Sequence, residues 1–192
     1  MKYASIDTET TGLNPINDLV LEIGIVIDDT DWWDKDVESS ADLPTFQCYI
    51  DHGRFYGDAF ALGMNGHILT KIAKKEGNVL SPEDAVLAMN SFLKTHFADK
   101  VWCCGKNFAS FDRPFLEHLA QRVNLKAPFH HRSFDPAALF LLPEDTGFPA
   151  LSKCLERSGI NAPVTHNAVD DAFQVVQITR YGMKKLWGSY AN

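Results

Sequence analysis

The chain has 192 residues, 45% hydrophobic and 22% charged, a balance that suits a water-soluble protein with one sizeable core and a single domain over 1–192. Its formal net charge of −7 argues against a broad basic surface for gripping long nucleic acid by its phosphates. No apolar run is long enough to span a bilayer and the first residues lack the pattern of a signal peptide, so a cytoplasmic protein with no membrane partner is expected.

In chain order, Tyr3-Ala4-Ser5-Ile6 reads as a buried strand that runs into Asp7-Thr8-Glu9 and then the turn chemistry of Thr10-Thr11-Gly12-Leu13. Side chains alternate along a strand, so Asp7 and Glu9 leave the same face and their carboxylates can converge. Like charges held that close call for a counter-ion, and a hard divalent cation with oxygen ligands is the usual one. Val20 to Ile27 is β-branched and nearly all apolar, a strand for a sheet interior that should pair with the first. Residues 28–42 are acidic, carry Trp32-Trp33, and read as a solvated excursion before a third strand over Thr45 to Ile50. Asp51 to Gly66 reads as a loop whose Arg54, Phe55, Tyr56 and Phe60 pack beneath it, leading into a short helix through Met64, Asn65 and Leu69.

Ser81-Pro82-Glu83-Asp84 starts a helix, with a capping serine, proline at the first helical position and acids in the first turn. Val86, Met89, Leu93 and Phe97 form its core face. Val101 to Cys104 is a short buried strand, after which Phe111, Phe115, Leu119 and Val123 recur at helical spacing and place Asp112 in or just before the first turn. A further strand is expected over Arg132 to Asp135, a helix over Pro136 to Leu141, and another over Leu151 to Ser158 closed by Gly159. The last long helix begins near Ala168, just after Thr165-His166-Asn167, with Ala172, Val176, Met183 and Trp187 on one face. Cys48, Cys103, Cys104 and Cys154 lack C-x-x-C spacing and read as reduced core thiols. Hairpin strands followed by strand and helix in alternation give an α/β fold, a mixed five-stranded sheet flanked by helices.

Taken singly, each acid has an ordinary structural role: Asp112 and Asp171 suit helix N-termini, and His166 could be a surface loop histidine. Together, Asp7-Glu9-Thr10-Thr11-Gly12-Leu13, the segment Gly105-Lys106-Asn107 to Asp112, and His166 to Asp171 resemble the DEDDh branch of the DnaQ-like 3′→5′ exonuclease family in order and spacing. The resemblance covers nearly the whole chain and implies a ribonuclease H-like fold. It further implies that Asp7, Glu9, Asp112 and Asp171 hold two Mg²⁺ or Mn²⁺ ions, with His166 as general base. Asp171 is preferred to the adjacent Asp170 because the family's spacing from the histidine is five residues. Thr10 and Leu13 would hold the terminal sugar and base, with Asn107, Asn65 and Phe111 supporting substrate binding. Lys106 departs from the histidine commoner before Asn107. The activity implied is release of nucleoside monophosphates from single-stranded 3′ ends, with DNA favoured. The alternatives are an oligoribonuclease-type enzyme that trims RNA and a proofreading or adaptor subunit of a polymerase; a protein partner and the oligomeric state are unassigned.

Overall fold

The computed structural model describes the backbone of residues 1–190 and the side chains through Gly188. Six strands form one mixed sheet: β1 (Lys2–Thr10), β2 (Val20–Asp29), β3 (Thr45–Ile50), β4 (Val79–Leu80), β5 (Val101–Cys104) and β6 (Phe129–Phe134). Their spatial order is β4-β3-β2-β1-β5-β6. The β1–β2 and β2–β3 pairs are antiparallel, whereas β5 lies parallel to β1, β6 to β5 and β4 to β3. The sheet therefore has six strands where five were expected. The addition is β4, whose two residues are too short to show a period. β6 also begins earlier than expected, at Phe129, and the stretch after Asp135 is a 3-10 helix, Pro136–Phe140.

Helices cover both faces: α1 (Ala59–Met64), α2 (Gly66–Lys74), α3 (Pro82–His96), α4 (Asp112–Arg122), α5 (Leu151–Ser158) and α6 (Ala168–Tyr190). The Ser81 hydroxyl caps α3 by accepting from the Asp84 N–H, and Gly159 closes α5 in the left-handed region. Ala4, Ile6, Ile23, Ile25 and Ile27 face Val86, Met89 and Leu93 of α3 and Phe115, Leu116 and Leu119 of α4 in the main core. Each such side chain taken fully out of water contributes about 1.5–3 kcal/mol.

The opposite face of the β1–β2 hairpin is polar, and its register explains how. Tyr3 pairs with Asp28, Ser5 with Val26, Asp7 with Gly24 and Glu9 with Glu22, all on the side that α6 covers. The helix is fastened to this ladder at two points. Near its start the Ser5 hydroxyl donates to the Ala172 carbonyl, 2.8 Å away. Farther along, Arg180 grips buried Asp28 with two hydrogen bonds of 2.9 and 2.5 Å. Tyr3 Oη and Trp33 Nε1 donate to the same carboxylate. Trp33 is thus buried, and its ring stacks on Trp187 with centroids 5.1 Å apart, so the acidic excursion is pinned to α6 rather than solvated throughout. All four cysteines are buried free thiols. Among the described residues no helix is long and apolar enough to cross a membrane.

Candidate active site

Three elements deliver acids to one end of the sheet. Asp7 and Glu9 stand on the α6 face of β1, Asp112 is the first residue of α4, and Asp171 lies in the first turn of α6. Glu9, Asp112 and Asp171 are buried, while Asp170 next door is exposed, so the helix turns the second of the two acids inward. Thr8, on the other face of β1, donates its hydroxyl to Asp112 Oδ1 at 2.8 Å and ties the start of α4 to the strand. Asp171 Oδ1 accepts from the Thr165 N–H at 3.2 Å. Between them His166 is exposed, with φ of 53°, the left-handed region that histidine enters more readily than most residues. Ligand atoms of Glu9, His166 and Asp171 all lie within 4.8 Å of one another.

The electrostatics follow from this crowding. Burial, then Asp112, Asp171, Glu9 and Glu22, push the Asp7 carboxyl well above the usual carboxylate range. Burial, then Glu22 and Asp171, lift Glu9 to about 7, against a hydrogen bond from Asn65. Burial lifts Asp112 to about 7 despite the Thr8 hydroxyl. Asp171 is raised mainly by burial, against the pull of Thr165 and His166. Without a cation, burial and crowding oppose full ionisation of this cluster, and a divalent ion would favour it. The donor set is oxygen with one imidazole, which suits Mg²⁺ or Mn²⁺.

Beside the acids opens a cleft of about 670 Å³, lined by Glu9, Thr10, Leu13, Phe60, Met64, Asn65 and Phe111 among others. Asn65 is buried at the junction of α1 and α2, and its Nδ2 donates to the Thr10 carbonyl at 3.0 Å. Leu13 is 84% exposed and Phe60 78%, so both offer apolar surface to the cleft. Of the four residues expected to pack beneath the 51–66 loop only Phe55 does, against Leu21, Tyr49, Ile68 and Ile72; Arg54, Tyr56 and Phe60 are exposed, Phe60 on α1 beside the cleft. Asn107 is not among the residues lining the cleft. It takes a φ of 61° to turn the chain into α4, its N–H donating to Asp135 Oδ2 and its Oδ1 accepting from Lys106. No lysine or arginine is found among the described residues that line the cleft.

Sequence reasoning missed Glu22. It is fully buried directly opposite Glu9, and its carboxyl is raised chiefly by burial. The available signal was a lone acid inside the apolar run of β2, which the hairpin pairing places on the acid face.

The RNase_T exonuclease family model matches residues 5–179. The chain belongs to that family. It is accordingly a 3′→5′ exonuclease, a phosphodiester hydrolase of a metal-dependent family. Two curated relatives match along nearly their full length. The oligoribonuclease of Thiobacillus denitrificans is 26% identical over 178 residues, covering 92% of this chain and 90% of that one. That of Nitrosomonas europaea is 26% identical over 187 residues, covering 95% and 93%. Among solved structures, Escherichia coli exonuclease I in complex with a dT13 oligonucleotide superposes with a TM-score of 0.68 at 17% identity, over 98% of this chain and 43% of that one. Exonuclease I of Methylocaldum szegediense gives 0.69 at 14% identity, over 96% and 40%. The chain thus spans less than half of the exonuclease I chains, and the likeness establishes the ribonuclease H-like fold.

Proposed function

We propose that this exonuclease removes nucleoside 5′-monophosphates one at a time from the 3′ ends of short single strands, with oligoribonucleotides its favoured substrate. The observation that supports the reading is the grouping of Glu9, His166 and Asp171, ligand atoms within 4.8 Å of one another, with the Asp7 carboxyl raised by burial and by the charges of Asp112, Asp171 and Glu9, beside the cleft that Glu9 lines. In it Asp7, Glu9, Asp112 and Asp171 would hold two Mg²⁺ or Mn²⁺ ions. When bound, such a pair neutralises charge on the scissile phosphate and on the attacking and leaving oxygens.

The chain's own residues supply the rest. Leu13, Phe60 and Phe111 offer apolar contact to an unstacked terminal base, and Thr10, braced by Asn65, borders the place for its sugar. His166, exposed at the mouth beside Glu9 and Asp171, accepts the proton of the attacking water. The bond from phosphorus to the 3′ oxygen of the preceding nucleotide then breaks. With no lysine or arginine among the described residues that line it, the cleft grips few phosphates, which suits short substrates better than long ones.

The preference for DNA expected from sequence has no support in the comparisons, since the relatives that match end to end are named oligoribonucleases. Discrimination rests on how the cleft treats a 2′ hydroxyl. Matched 5′-labelled RNA and DNA pentanucleotides, digested with Mn²⁺, test it. RNA should be turned over with a kcat/KM larger by about tenfold or more, the worth of one well-placed hydroxyl contact. DNA cut as well as RNA, or better, would return the substrate to DNA.

A further inference from the structure

Glu22 is a fully buried carboxylate that the ligand set above leaves unused. Its Oε1 accepts from Gln47 Nε2 at 2.5 Å. Gln47 also donates to Tyr49 Oη at 3.1 Å, and Lys71 of α2 donates to that same oxygen at 2.8 Å. The other oxygen, Oε2, is buried with no hydrogen-bond partner of ordinary geometry. An apolar residue of similar size would fill this place without the penalty of an incompletely paired buried charge.

What lies around it suggests a reason. Glu22 faces Glu9 across the β1–β2 ladder, and two residues on, Gly24 faces Asp7. A Cβ on Gly24 would stand 2.2 Å from the Ala168 carbonyl carbon and 2.4 Å from the Val169 nitrogen. The bare backbone at Gly24 is therefore the seat on which the first turn of α6 rests. Glu22 borders that seat, two residues before Gly24 on the same face of β2, and burial raises its carboxyl while Gln47 and the Ala168 backbone N–H, at the positive end of the helix, oppose that rise. The same turn of helix carries Asp171, and His166 precedes it by two residues.

We propose that Glu22 is a positioning residue for the divalent-ion site: a fifth, non-ligating carboxylate that borders the seat of α6 on β2 and stands behind Glu9 on the side away from solvent. It keeps the β1 acids and Asp171 in register and raises the site's affinity for divalent cations. The inference rests on the nuclease reading, and its test separates the two.

Mn²⁺ is titrated calorimetrically into nucleic-acid-free wild type and Glu22→Gln, each is melted in EDTA, and single-turnover hydrolysis is followed against Mn²⁺ concentration. The dissociation constant for Mn²⁺ should rise roughly tenfold in the variant, as for loss of an outer-layer partner of a metal site. In EDTA the variant should melt no lower than wild type, because the isosteric amide can still accept from Gln47 and removes a buried carboxylate oxygen that has no partner of ordinary geometry. Its maximal rate should return once Mn²⁺ is raised to saturation, since the reacting groups remain. Unchanged Mn²⁺ affinity, or a variant that melts lower or does not fold, overturns the proposal and leaves Glu22 a structural residue. Unrecovered rate at saturating Mn²⁺ also overturns it, placing Glu22 in the chemistry. A wild type that neither binds Mn²⁺ nor cuts would remove the nuclease reading itself.

Discussion

His166 occupies a left-handed backbone position at the mouth of the acid cluster, with one ring nitrogen within 4.8 Å of carboxylate oxygens of Glu9 and Asp171. That placement fits a proton acceptor, and it also fits a cation ligand. The two roles separate in a variant. His166→Ala should lower the single-turnover rate at saturating Mn²⁺ by about a hundredfold or more, the usual worth of a positioned proton acceptor, with Mn²⁺ affinity changed only a few-fold. If affinity falls instead and extra Mn²⁺ restores the rate, the imidazole is a ligand. Strand period alone put Asp7 and Glu9 on one face and helix-start chemistry placed Asp112, whereas the grouping of these acids with Asp171 and His166 came from the resemblance to the DnaQ-like family. Glu22 was not legible, because its role depends on strand register and on where α6 lands. Asn107 was legible as a residue of the loop, but whether its side chain reaches the cleft depends on the fold, and it bonds Lys106 instead.

At the scale of elements, α6 joins the site to the rest of the molecule. Its first turn rests on Gly24, and about one and a half turns beyond Val175 its Arg180 is held by Asp28, which also accepts from Tyr3 and Trp33. The Arg180 and Asp28 side chains are 9% and 0% exposed, so removing one partner strands a buried charge. Arg180→Met should destabilise the protein by about 3–5 kcal/mol. At about 2–4 °C per kcal/mol for a chain of this size, melting should fall by roughly 6–20 °C. Below that temperature cleavage should persist, because Asp171 and the acids it meets lie at the start of the helix, about two and a half turns from Arg180. A melting point within a degree of wild type would show the network to be of little consequence. The long strands and α3, α4 and α6 were readable from periodicity and caps. The two-residue β4 and the anchoring of the Trp32-Trp33 excursion were not, since both arise from tertiary pairing. An acidic loop with two tryptophans gives no local sign that one indole N–H will reach a buried carboxylate five residues back.

Across the whole molecule, the acid cluster makes stability depend on pH and on metal in a defined sense. Glu9 and Asp112 titrate near 7 in the folded protein, against about 4 in an unfolded chain. The metal-free fold therefore retains protons that the unfolded chain gives up. The stability these groups contribute is full below about pH 4 and is lost as pH rises to about 7. In EDTA the melting temperature should fall over that interval wherever these groups dominate. Mn²⁺ should flatten or reverse the trend above about pH 6 and release protons on binding, measurable as a buffer-dependent heat. A metal-free melting temperature that climbs steadily from pH 5 to 7.5, unaffected by Mn²⁺, would mean that the acids do not form a cation site. The central claim, metal-dependent cleavage from the 3′ end, is tested most directly by digesting a short single strand labelled at its 5′ end, with its 3′ end free or blocked. With Mg²⁺ or Mn²⁺ the free strand should shorten in single-nucleotide steps while its label stays on the remaining oligomer, and both the blocked strand and EDTA reactions should stay intact. Cleavage in EDTA, degradation of the 3′-blocked strand, or early release of the 5′ label as a mononucleotide would contradict the account.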